Sequence, residues 1–429
     1  MKNISINQVV KTLLEFGEQG NNITLFGIGP MSYRLIEASL EIGKEKDFPP
    51  LFIASRNQID ATELGGGYVN DWNQEEFVNA IKEISTKIDF TGEYYICRDH
   101  GGPWQRDNER NSHLEEQEAM RLGQLSYKHD MENGFDLLHI DPTKDPYEMG
   151  KVIPLEKVLE RTVDLIDFCE NERKRLNIAE IAYEVGTEET NGGLTSAETY
   201  ENFISTLKEQ LEERHLPMPT FIVGQTGTLV KKTENVGTFN YQNAFDLSQV
   251  ACKYGVGLKE HNGDYMEDKT MLMHSPSRIT ATNVAPQFGT EETRAYLELA
   301  ELEQDLKKEG LLKSTSSTKE KLLIQAIRSE RWRKWMVGDQ KNLTVDEVLA
   351  DKELSNEILD IAGHYTFNYP EVKKEINTLF SNLEQHNIDG NRFVINRIKR
   401  SLSMYVEGFN LEGSMTQIKN HINNKVVQI

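Results

Sequence analysis

The chain has 429 residues, enough for one large domain plus an extension. Hydrophobic residues make up 38% and charged residues 27%, an ordinary soluble mixture. The formal net charge of −21, from 48 basic and 69 acidic residues, argues against nucleic acid or an anionic membrane as the main partner, and leaves room for a small anionic substrate only where cations are concentrated locally.

The first segment, MKNISINQVVKTLLEFGEQG, reads as a short amphipathic helix without the apolar region of a signal peptide. No later stretch is apolar for long enough to span a bilayer. Cys97, Cys169 and Cys252 are too scattered for a disulfide framework or a cysteine-based zinc site. A cytoplasmic location is therefore expected.

From there one rhythm repeats. A short apolar run ends in Gly, Asn, Asp or His, and a helical pattern follows. The runs are ITLFGIG (23–29), PLFIASRNQ (50–58), YYICRDHGG (94–102), LLHIDPT (137–143), IAYEVGTEE (181–189), TFIVGQTG (220–227), VGLKEHNGDY (256–265) and RITATNVAP (278–286). Continuous apolar strands alternating with helices predict a parallel sheet covered on both faces, and eight such units predict an α/β fold, a (β/α)8 TIM barrel. The gap between the last two runs is short, so one helix there is expected to be abbreviated. After about residue 290 the strands stop. The predicted division is a barrel with an N-terminal helix over 1–310 and a helical extension packed on it over 311–429. ERWRKW (330–335), two tryptophans among cations, is predicted to be an amphipathic helix docked on the barrel.

Active sites of such barrels lie at the C-terminal ends of the strands, and polar groups collect there in this sequence. They are Asn57 and Gln58, then Arg98-Asp99-His100, His139 and Asp141, Glu184 and Glu188, Gln225, His261 and Asp264, and Asn283. His100 and His261, with a glutamate oxygen from Glu184 or Glu188, would suit a catalytic divalent metal. Asp99 beside His100 can handle a proton. His139 and Asp141 share one strand face. Arg98, Arg106, Lys144 and Lys259 are cations near the predicted mouth that an anionic substrate would need, or else partners of local carboxylates. Gly65-Gly66-Gly67 reads as a tight turn, and VGQTGT lacks the GK[ST] ending of a P-loop. His364 and six other histidines stay unassigned.

The stretches LIEASLE, SRNQIDATELGGGYVNDW, RDHGGPW, GFDLLHIDPTKDP, YEVGTEE, KEHNGDY and LDIAGHYTFNYPEVKKEINTLFSNLE resemble the Z-subunit family of class II D-tagatose-bisphosphate aldolase, also labelled tagatose-6-phosphate kinase. The resemblance covers nearly the whole chain. It implies a TIM barrel distantly similar to the metal-dependent class II aldolases, with a divalent ion, zinc being the expected one. On that resemblance Asp99 is the acid/base, His100 and His261 are metal ligands with Glu184 in support, and Glu184-Val185-Gly186 is similar to the aldolases' E-[LV]-G element. Asn283 resembles their substrate-contacting asparagine. The catalytic group is completed by Asp141, and Asn57, Arg98, His139, Lys144, Gln225 and Lys259 are the substrate-binding candidates.

Two departures stand out. The sixth strand has no metal histidine, so either Gln225 replaces it or the metal is weak or absent. The expected phosphate loop after the seventh strand reads NGDYMED, which is acidic. The sequence thus suggests metal-assisted aldol or retro-aldol chemistry on a ketose or ketose phosphate, in a lyase that forms homo-oligomers. The alternatives are a non-catalytic subunit serving a catalytic class II aldolase, which is how the Z subunit is regarded, and a metal-dependent sugar epimerase or isomerase.

Overall fold

A computed structural model describes residues 4–148, 153–187 and 193–427. Eight parallel strands close into a barrel, and the fold is the (β/α)8 TIM barrel that the strand–helix rhythm predicts. The strands are Leu25–Ile28, Leu51–Ser55, Tyr95–Gly101, Leu137–Ile140, Ala182–Val185, Phe221–Val223, Gly257–Glu260 and Ala281–Val284. Each pairs with its sequence neighbours, and the first closes on the eighth in the register Leu25 to Ala281 and Ile28 to Val284.

Strand alternation sorts the side chains into two layers. One set of positions faces the helices: Phe52, Ile96, Leu138, Tyr183, Ile222 and Leu258 belong to one apolar cluster with the helix residues Phe77, Ile81, Leu159, Ile166 and Leu207. The other set faces the barrel axis, and Leu25, Leu51, Tyr95, Leu137, Ala182 and Phe221 share a second cluster with the N-terminal helix Ile6–Glu18. That helix starts from a capping box, Ser5 and Gln8 exchanging side-chain and backbone bonds, and its Val9, Val10 and Leu13 are buried. The Tyr95 hydroxyl donates to Ile4 O at 3.0 Å. The helix closes the barrel at the N-terminal ends of the strands, leaving the other end open.

Between the seventh and eighth strands the helix is one of seven residues, Asp268–His274, shortened as expected. A small hairpin, Val230–Lys231 with Glu234–Asn235, follows the sixth strand and had no signal in the apolar pattern. ERWRKW is not an amphipathic α-helix. Glu330 has φ 53°, which ends the preceding helix Thr318–Arg328, and Arg331–Trp335 forms a 3₁₀ turn with Trp332 fully buried. Farther on, helix Gly390–Gly408 lies against the helices Tyr33–Lys46 and Pro286–Lys308. Arg392 and Lys399 pair with Glu41, and Arg397 pairs with Glu291. Tyr405 stacks on Phe26 at 5.1 Å. Among the described residues no helix is long and apolar enough to cross a membrane.

Arg98 belongs to the helix-facing layer of the third strand. Its guanidinium donates to both oxygens of Asp130, at 2.8 and 2.6 Å, and to the carbonyls of Ala54 and Ile59. Both side chains are fully buried. Removing one partner of such a pair strands the other charge in the interior, so Asp130→Ala should cost about 3–5 kcal/mol of stability. Urea unfolding will measure this, and a loss below about 1 kcal/mol would show that Arg98 finds adequate partners elsewhere.

Candidate functional site

The inward-facing residues turn polar toward the C-terminal ends of the strands. Counting in twos from Cys97, Leu137, Ala182, Gly257 and Ala281 gives Asp99, His139, Glu184, Lys259 and Asn283. Gly27 makes room for the last of these: a Cβ there would come within 2.2 Å of Asn283 Oδ1. Two residues beyond Lys259 stands His261. His100 breaks the alternation. It has φ 46°, and the register between the third and fourth strands shifts between Arg98 and Gly101. This bulge turns its imidazole from the helix side into the open end of the barrel.

The result is a cluster in which one ligand-type atom each from Asp99, His100, His139 and His261 lies within 4.8 Å of the others. Carboxylates hold the two flanking imidazoles from behind. His100 Nδ1 meets Asp141 Oδ2 at 2.7 Å, and His261 Nε2 meets Glu184 Oε1 at 2.6 Å. The remaining nitrogens, His100 Nε2 and His261 Nδ1, face each other at 3.2 Å. Asn283 Nδ2 donates to Asp99 Oδ1 at 3.0 Å, and Asn283 Oδ1 has no hydrogen-bond partner. His139 Nδ1 accepts the His100 backbone N–H at 3.1 Å, and its Nε2 is buried without a partner. Orienting carboxylates behind imidazoles are the usual outer support of a metal site. The donor set therefore fits a divalent ion on His100 and His261, with His139 and Asp99 beside it.

Charge in this cluster is strongly interdependent. Burial pushes the Asp99 carboxyl up, but His100, His139 and His261 outweigh it and hold it well below the usual carboxylate range. Asp141 and Glu184 are likewise held low, against burial, chiefly by His100 and His139 for the first and by His139 and Lys259 for the second. Burial alone would lower His100, yet Asp99 and Asp141 raise it to about 9. His261 is lowered, mainly by burial.

The cluster forms the floor of a cavity of about 390 Å³. Asn57, Lys144, His139 and Asn283 line it as the sequence suggests, with Asp99, His100, Asp141 and His261. Four other candidates are placed differently. Glu184 stands behind His261, pairs with Lys259 at 2.7 Å and does not reach the cavity. Lys259 is fully buried beneath the floor, with its ammonium 5.1 Å from the Phe221 ring. Arg98 points outward to Asp130, because adjacent strand residues face opposite ways. Gln225 is buried where its backbone pairs with Thr195, off the cavity lining, so it does not stand in for a sixth-strand histidine. His139 joins the cluster from the fourth strand instead. Glu188 lies outside the described residues. Arg106 is spent on Asp60 and on the carbonyl of Gly66, within the Gly65–Gly67 turn.

Sequence reasoning missed one whole wall. Lys334, Trp335, His364 and Tyr365, all beyond the barrel strands, line the cavity. The available signal was an aromatic and basic composition, ERWRKW and GHYTFNY, in a tail of otherwise regular amphipathic helices. Asp264 also lines the cavity, and its Oδ1 accepts the N–H groups of Ala285 and Gln287, both at 2.9 Å, where helix Pro286–Lys308 begins.

Fold and site together define a (β/α)8 barrel protein whose polar machinery gathers at the carboxyl ends of its strands. The chain belongs to the D-tagatose-1,6-bisphosphate aldolase subunit GatZ/KbaZ-like family, which matches residues 10–428. Its structure is similar to that of a probable tagatose 6 phosphate kinase from Sinorhizobium meliloti 1021, with TM-score 0.73 and 17% identity over 90% of this chain and 100% of that one. It is also similar to fructose-bisphosphate aldolase from Campylobacter jejuni, with TM-score 0.54 and 12% identity over 96% of both chains. A third similar structure is the fructuronate-tagaturonate epimerase UxaE from Cohnella laeviribosi, with TM-score 0.51 and 11% identity over 90% of this chain and 81% of that one. At these identities the likeness is one of fold. No individually curated protein matches the sequence.

Burial pushes Asp264 up to about 7, against the two N–H donors that favour its ionised form. The unfolded value is about 3.9. Between those values the folded state binds more protons than the unfolded one, so this group's contribution to stability falls as pH rises through that window. Asp264→Asn keeps an acceptor oxygen and removes the titration. Urea unfolding from pH 4 to pH 8 should show the variant gaining steadily on the natural protein. Parallel curves would mean that the N–H donors keep Asp264 ionised throughout.

Proposed function

We propose that the protein is an enzyme of carbohydrate metabolism that carries out metal-assisted aldol or retro-aldol chemistry on a ketose or ketose phosphate. The observation that carries this reading is the carboxylate behind each of two facing imidazoles, Asp141 on His100 and Glu184 on His261. A scaffold has no need to hold two imidazoles with their free nitrogens converging. The family supports the substrate class.

A divalent ion held by His100 and His261, with His139 beside it and zinc best suited to such nitrogen donors, would supply Lewis-acid polarisation of a carbonyl. The residues do the rest. Asp141 and Glu184 fix which nitrogen of each ring faces the cavity. The Asp99 carboxylate, ionised and held by Asn283, is placed to accept the proton of the hydroxyl whose carbon–carbon bond breaks, and to return it in the aldol direction. Asn283 Oδ1, without a partner, is available to a substrate hydroxyl. Asn57 and Lys144 stand on the cavity wall, where they can hold the rest of the sugar.

Two other readings have support of their own. The family description is that of an aldolase subunit, which favours a supporting role beside a catalytic chain. An epimerase would use the same base and ion without breaking a carbon–carbon bond.

Elemental analysis should find about one divalent ion per chain. His100→Ala and His261→Ala should lose it, and Asp141→Asn and Glu184→Gln should weaken it about 10- to 100-fold. Ketoses and ketose phosphates offered to the loaded protein should yield two shorter products. A product of unchanged carbon number would favour epimerisation. A protein that takes up no ion even after incubation with divalent salts would sink the metal-enzyme reading and favour the supporting subunit.

A further inference from the structure

We propose that the turns at 331–335 and 363–366 add an oxyanion-binding subsite to the cavity, one that takes a phosphate or carboxylate at the end of the substrate remote from His100 and His261. The inference rests on reading the cavity as a sugar site.

Acidic residues outnumber basic ones by 69 to 48, so a cation near a cavity in this chain is expected to be claimed by a carboxylate. Arg110, at the same cavity, is bound to Asp107 in this way. Lys334, which lines the cavity, and Arg331, outside its lining but stacked on the lining residue Tyr68, are not: neither side chain makes an ion pair among the described residues, and both lie over aromatic rings instead. Arg331 sits 4.7 Å from the Tyr68 ring centre, and Lys334 sits 5.1 Å from that of Tyr365 and 5.5 Å from that of Trp335. Aromatic faces hold a cation in place while leaving its hydrogen-bond donors unspent.

His364 adds a second, independent sign. It lines the cavity, it is 2% exposed, and neither ring nitrogen has a hydrogen-bond partner. A buried imidazole without partners is costly, which implies a group that pairs with it. Burial, with Lys334 and Arg331 nearby, lowers it to about 3, so at neutral pH it is uncharged and offers one N–H donor. The Tyr365 hydroxyl already accepts from Trp335 Nε1 at 3.2 Å and keeps its own proton to donate.

The usual alternative is closed. Barrels commonly bind phosphate at a helix start after the last strands, where backbone N–H groups are free. Here the N–H groups of Ala285 and Gln287 are taken by Asp264 Oδ1. The loop sequence NGDYMED supplies that side chain, and the cations stand on the C-terminal wall instead.

The test is isothermal titration of the EDTA-treated full chain with inorganic phosphate and, separately, with D-gluconate. Lys334 is exposed, so its replacement leaves the core intact. At least one of the two anions should bind the natural protein, Lys334→Glu should bind it about tenfold or more weakly, and Lys334→Arg should stay within about threefold. The tighter of the two anions identifies the terminal group as phosphate or carboxylate. Failure of both to bind, or equal binding to Lys334→Glu, overturns the subsite. Because the ion is stripped, anion binding that persists in a protein unable to cleave sugars would count against the proposed reaction alone, and cleavage without anion binding would count against the subsite alone.

Discussion

The alternation of side chains along the barrel strands, and its break at His100, places every group on the cavity floor. Alternation alone sends Asp99, His139, Glu184, Lys259, His261 and Asn283 inward and Arg98 and Glu260 outward. It would send His100 outward as well. A left-handed backbone at a residue with a side chain costs about 1–2 kcal/mol, and here it brings an imidazole to face His261. The cost is offset locally, since the His100 N–H bonds His139 and its ring bonds Asp141. The same bulge lets the next residues, Gly101 and Gly102, pass close to Tyr127 and Asp141.

Three ionised carboxylates, those of Asp99, Asp141 and Glu184, stand in or just beneath the cavity floor with three imidazoles and one lysine. Such a set is stable only with positive charge among it. Lys259 supplies one charge to Glu184 from below. The high proton affinity of His100 supplies another. A divalent ion would supply the same charge in place of that proton, so ion and proton compete for one role in the charge balance. The net negative charge of the chain, unfavourable at first sight for an anionic substrate, is thus partly a property of the floor and of the outer surface. It does not extend to the wall carrying Lys334.

The barrel was legible in the sequence because eight apolar runs, each ending in polar residues and most followed by a helical pattern, fit few other topologies. His100, His261, Asp99 and Asn283 were legible as a group because each follows such a run. What could not be read was direction. Arg98 and His100 are one residue from Asp99 on either side, and only the bulge decides that one joins the cavity while the other supports helix Glu116–Glu132 through Asp130. Gln225 and Lys259 were misplaced for a related reason: the distance of an inward residue from the open end depends on barrel stagger, which a single sequence does not display. The wall from the C-terminal segment was hidden because its contacts with the barrel are long-range, as between Tyr68 and Tyr365, and the hairpin at 230–235 because its strands are two residues each.

That wall is fastened on both sides of the residues it presents. Trp332 and Met336, which bracket Lys334 and Trp335, are buried in the same apolar cluster as the first barrel strand, and Ala362 and Phe367 bracket His364 and Tyr365 in the same way. A segment pinned at both ends cannot swing aside as a flap without exposing core. This wall therefore keeps its distance from His100 and His261, and the length of a guest reaching from one to the other is fixed by the fold.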